Sequence, residues 1–172
     1  MVNTTTAALP SGAFMIGDEI VGNQSGVTKR LTLNSSALSD YETGSWTPYL
    51  FGGTVSGDTT YSVQYGHYIR IGGLLYGVVD LDWSTTTASG TAFIGGLPFT
   101  SKSYLGNIRH AVTFSGYGDF AITATDERIS GSIAEGVSDI LLLGNKINTA
   151  SVLTIAEMAN DGYLRGSFTY TI

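Results

Sequence analysis

Apolar and polar residues alternate along most of this chain with a period of two, and glycine interrupts the alternation. A period of two marks a strand with one buried face, because successive side chains point to opposite sides of a sheet. Residues 74–82 (LLYGVVDLD) put Val79 and Leu81 on one face and Asp80 and Asp82 on the other. Residues 109–114 (RHAVTF), 120–124 (FAITA) and 128–133 (RISGSI) read the same way. The pattern is clearest in 163–172 (YLRGSFTYTI), where Leu164, Phe168, Tyr170 and Ile172 share one parity and Arg165, Ser167, Thr169 and Thr171 the other. Gly72-Gly73 lies between two apolar runs, as a hairpin turn needing positive φ does. Helical periodicity is not sustained anywhere. Residues 35–41 (SSALSDY) allow one or two helical turns, and 151–159 (SVLTIAEMA) fit a short helix or a strand. Short strands punctuated in this manner predict an all-β chain, an antiparallel β-sandwich of jelly-roll type.

Aromatic residues divide the chain. Phe14 is the only one in 1–40, whereas all ten Tyr, both Trp and six of the seven Phe follow. The core is therefore expected in 41–172, with 1–40 as a terminal extension that folds against a partner or a neighbouring copy. Short strands are expected at 19–21 and 28–33, on either side of a turn-like 22–26 (GNQSG). Ile20, Val21, Lys29 and Arg30 on those strands are the expected anchoring contacts. Trp46, just before Thr47-Pro48, is expected to open the first core strand and plug the core, since proline is tolerated at a strand start. Leu97 and Phe99 in 95–99 (GGLPF) are expected to be buried at a strand exit.

Charge and composition remove several function classes. Charged residues make up 13% of the chain and the net charge is −6, so the basic footprint of a nucleic-acid binder is missing. There is no cysteine, hence no disulfide framework and no thiolate metal site. The longest apolar runs, such as 140–143, fall far short of the ~20 residues of a membrane-spanning helix. The N-terminal residues lack the basic-then-apolar layout of a secretion signal, so synthesis in the cytoplasm is expected.

Candidate catalytic groups are few. Asp80 and Asp82 are two apart on one strand face, about 6.5–7 Å by strand rise, a separation that glycosidic hydrolysis permits. Their place on the polar side of an alternating strand favours a solvated face instead. His67 and His110 are the only histidines, both in strand-like segments, and no Gly-x-Ser-x-Gly elbow is present. Asp58 and Asn145 look like turn residues. The chain is accordingly expected to bind or build rather than catalyse, with no metal or cofactor. For binding, Trp83, Tyr104 and Tyr117 stand in Ser/Gly-rich stretches, where aromatic rings can stack on sugars.

Three motifs in order carry a family resemblance: E-x-G-x-W-T-P at 42–48, G-x-Y-x-R-I-G at 66–72 and G-T-x-x-I-x-G-L-P-F at 90–99. The chain resembles, over 41–100, the C-terminal domain of tailed-bacteriophage tail fibres. That resemblance implies a virion protein, a homotrimeric all-β head that contacts a host-surface glycan or protein, attached through 1–40 to other virion proteins, without nucleic acid or membrane insertion. Only forty residues precede the matching region, which leaves tail tip, baseplate and capsid open. A capsid decoration or head-fibre protein without a receptor role is the alternative, and a glycan depolymerase the more remote one.

Overall fold

The structure, a computed structural model, describes residues 19–24, 27–32, 40–120, 126–146 and 149–172. The chain divides into two units, 1–40 and 41–172. In the first, β1 (Glu19–Gln24) and β2 (Val27–Thr32) form an antiparallel pair running from Glu19↔Thr32 to Gln24↔Val27. Only two residues separate the strands, where the sequence suggested a five-residue turn. Pairing continues through Gly22↔Lys29, Asn23↔Thr28 and Gln24↔Val27, so residues 22–24 belong to the first strand.

The second unit is one antiparallel sheet. Its strands are β3 (Tyr41–Trp46), β4 (Tyr49–Gly52), β5 (Thr59–Ile71), β6 (Leu74–Thr86), β7 (Ala92–Gly95), β8 (His110–Phe120), β9 (Asp126–Ile133), β10 (Asp139–Lys146), β11 (Thr149–Val152) and β12 (Met158–Thr171). They are ordered β3-β5-β6-β12-β8-β9-β10-β7-β4, and off this path β11 pairs with β10 over Leu143–Lys146, beyond the stretch that pairs with β7. The first and last strands of that path are joined by Thr47-Pro48 alone, so the sheet must curl until its ends are neighbours. Two hydrogen bonds hold the closure: the Leu50 N–H donates to the Tyr61 hydroxyl (2.7 Å) and Gln64 Nε2 to the Pro48 carbonyl (2.9 Å). The all-β antiparallel fold is the one the alternation predicted. Among the described residues there is no α-helix, and none is long and apolar enough to cross a membrane.

Several local expectations change. Trp46 ends β3 rather than opening a strand, because Pro48 has no N–H with which to continue the ladder. Residues 151–159 are neither one helix nor one strand. β11 stops at Val152, and a 3-10 turn at Ile155–Glu157 leads into β12. The Glu157 carboxylate caps that turn by accepting from both the Thr154 N–H and hydroxyl, each at 2.8 Å. Asn145 lies in β10 beside a bulge, not in a turn. Residues 35–39 and 121–124 of the expected helical turns and strand lie outside the described residues, and Tyr41 is in β3.

Inside the curl a single cluster joins Leu75, Leu81 and Leu164 from one half of the sheet to Ile94, Ile140 and Leu142 from the other, all fully buried. Its aromatic rings lie across glycines. Trp46 pairs with Gly66, Phe168 with Gly77 and Trp83 with Gly162, and in each case a Cβ on the glycine would fall within 3 Å of the ring. Tyr68 with Gly44, Tyr49 with Gly95, Tyr163 with Gly118 and Phe114 with Gly166 repeat the arrangement. Much of the glycine content thus fills strand interiors, where it admits rings, rather than turns. The Gly72-Gly73 hairpin is the turn expected, with Ile71 paired to Leu74 and a φ of 57° at Gly72.

Tyr170 is buried in this cluster and donates to the Phe99 carbonyl at 2.8 Å. Burial pushes its phenol up to about 12. A folded-state value above the unfolded one of about 10 means the folded chain holds its proton more tightly. Stability is therefore expected to be intact below pH ~10 and to fall as pH rises towards ~12, and Tyr170→Phe is expected to flatten that fall. Denaturant midpoints measured between pH 8 and pH 12 check this.

Candidate binding surfaces

The three candidate aromatics have different fates. Trp83 lies within β6, and its ring has no exposed surface. It meets Phe120 edge-on at 6.0 Å. The Thr- and Ser-rich 84–87 suggested a loop, but β6 runs to Thr86, and Trp83 keeps the inward parity of Val79 and Leu81. A ring with no free face cannot stack on a ligand, which corrects its expected role.

Tyr104 does lie in an irregular segment, between β7 and β8. Its hydroxyl donates to Thr171 Oγ1 at 2.9 Å, and the Lys102 ammonium sits 5.7 Å from the ring centre. Buried Ser101 holds this segment: its hydroxyl donates to the Ala134 carbonyl and accepts from the Val137 N–H. Further along, the Ile108 N–H donates to the Glu135 carboxylate at 2.6 Å.

Tyr117 is in β8, half-buried, with Phe120 edge-on at 6.1 Å. β8 and β9 pair only over His110↔Ile133 to Thr113↔Ser130. Beyond Thr113 the two strands part, while β8 follows β12 through a bulge at Arg165/Gly166. The parting leaves a cleft of about 500 Å³ lined by Phe114, Ser115, Tyr117, Arg128, Ile129 and Ser130. A phenol ring, a guanidinium and hydroxyls along one hollow can stack on a sugar ring and hydrogen-bond its hydroxyls. Sequence reading found Tyr117 but missed Arg128, which comes close only through the hairpin.

Asp80, His67 and His110 each have a neighbour in the fold. Asp80 accepts from Arg165 Nε at 3.0 Å, and that guanidinium lies 4.8 Å over the Tyr163 ring. Both partners are substantially exposed, so the ion pair contributes less than about 1 kcal/mol. His67 bonds Thr43 Oγ1 at 3.1 Å, and His110 lies tilted against Tyr170 at 6.3 Å. Among the described residues no group of three His, Asp or Glu is placed to hold a metal. In the first unit the backbone register pairs Val21 with Arg30, Ile20 with Leu31 and Lys29 with Gly22.

No family model matches the chain, and no curated protein does. Among solved structures it is similar to the Dettilon tailspike protein (gp208), with a TM-score of 0.61 and 18% identity over 77% of this chain. The chain spans 24% of that tailspike's length. The likeness is one of fold, with part of a phage tailspike, and it is consistent with the expected phage tail protein.

Proposed function

We propose that this chain is a bacteriophage tail protein, a short fibre- or spike-like homotrimer whose second unit binds a host-surface glycan and whose residues 1–40 attach it to other virion proteins. The observation that carries the reading is the tailspike fold, shared over 77% of the chain. The Tyr117–Arg128 cleft supplies a surface of the chemistry that glycan binding needs. The chain acts by holding its ligand and not by cutting it. The engagement of Asp80 by Arg165 supports this, since it occupies one of the two carboxylates that a paired-acid mechanism would need.

Titration of the purified chain against a panel of bacterial surface polysaccharides tests the proposal. One or more should bind, and Tyr117→Ala and Arg128→Ala should each weaken binding by about tenfold or more, as loss of a central contact does. Unchanged affinity in both variants would remove the cleft from the reading. Shortening of the polysaccharide during incubation would replace binding with hydrolysis.

A further inference from the structure

The outer face of β6 changes character at Val78. Asp80 and Asp82 lie on one side of it, Leu74 and Tyr76 on the other, towards the Gly72-Gly73 hairpin. Register extends the apolar half across neighbouring strands. Tyr41, Ile71, Leu74 and Thr171 form one row of directly paired residues; Thr43, Ile69, Tyr76 and Thr169 form the next. Paired residues share a face, so these side chains make one continuous surface. Tyr41 is 59% exposed, Ile71 57%, Leu74 50% and Tyr76 47%. The hydroxyl contact with Thr171 brings Tyr104 to the border of the first row. A contiguous apolar surface of this kind marks a site of association.

We propose that this face is where copies of the chain associate, its occupant being a second copy. The proposal deepens the homotrimer proposed above and rests on it for the choice of partner. Charge supports that choice. The two rows contain no Asp, Glu, Lys or Arg, while the chain as a whole carries −6. Copies of an acidic chain repel one another, and a face without charge is where that repulsion is least. At the margins stand cations: Lys102 beside Tyr104, and Arg109 in a shallow hollow that Tyr76 and Thr169 also line. Each would meet a neighbour with fourteen acidic residues against eight basic ones.

Light scattering on the full chain, with Leu74→Glu and Ile71→Glu as variants, tests it. Both sites are exposed, so each variant should keep the wild-type circular dichroism, while its melting temperature falls as the stabilisation by association is lost. The wild type should be multimeric at micromolar concentration, and each variant should raise the dissociation constant about 100-fold or more. A monomeric wild type overturns the proposal and leaves residues 1–40 or another virion protein as the cover. A variant that folds and keeps the wild-type mass overturns it equally. Polysaccharide binding read on the same samples separates the two claims. Binding without a change of mass removes only the association face, and a mass change without binding removes only the Tyr117 cleft.

Discussion

Truncating Trp83 to alanine is expected to destabilise the second unit by about 3–5 kcal/mol. Trp83 is the largest fully buried side chain among the described residues, and its ring fills the space between Phe120 and Gly162. Gly162 has no side chain to move into the void and β12 is fixed by its ladders to β6 and β8, so the cavity cannot collapse. Against a total stability of roughly 5–15 kcal/mol, the loss leaves the fold marginal. Trp83→Phe should recover part of it. Urea unfolding followed by circular dichroism measures the effect. Polysaccharide affinity, taken below the onset of unfolding, should not change. Weakened binding at unaltered stability would return Trp83 to a ligand-contacting role and contradict its burial.

Gly66→Ala is expected to cost about 1–3 kcal/mol, which is large for adding one methyl group. The new Cβ would stand 2.3 Å from the Trp46 indole. That ring cannot swing aside freely. Its Nε1 donates to the Val78 carbonyl at 3.2 Å, and it meets Phe168 edge-on at 5.9 Å. Gly73→Ala is the control, because the nearest atom to a Cβ there is the Ile172 carbonyl oxygen at 3.6 Å, an ordinary contact. That change should be near neutral. Combining Gly66→Ala with Trp46→Leu should cost less than the sum of the two single changes, since the smaller side chain frees the space the methyl needs. Strict additivity would show that the methyl is resisted by something other than the ring.

The strands themselves were legible because period-two alternation is a local signal. Leu164, Phe168 and Tyr170 point inward as their parity required. The path of the sheet was not legible. That β3 and β4 lie at opposite ends of it, joined only by Thr47-Pro48, depends on long-range pairing that no local window contains. Composition misled at Trp83, where Ser and Thr belong to a strand end rather than a loop. The same bias placed Tyr117 in a loop, although it stands on β8 beside the cleft. Arg128 reaches that cleft from β9, eleven positions along the chain, a proximity that only the hairpin creates. The apolar outer face was readable in principle: Leu74, Tyr76 and Val78 share the parity of Asp80, and a strand face that turns from acidic to apolar halfway along is unusual for a surface meant for water.

The rings lying across glycines have a consequence for how the chain finds its fold. Alternation fixes which face of a strand is buried, but it is blind to a slip by two residues, which preserves every face. In such a slip Trp46 would lie opposite Gln64 or Tyr68 instead of Gly66, and Phe168 opposite Leu75 or Val79 instead of Gly77. Neither ring would have room. Each ring and glycine pair therefore works as a key that only one alignment accepts, and in a sheet of ten strands with long ladders these keys reject mispaired intermediates that the hydrophobic pattern would admit.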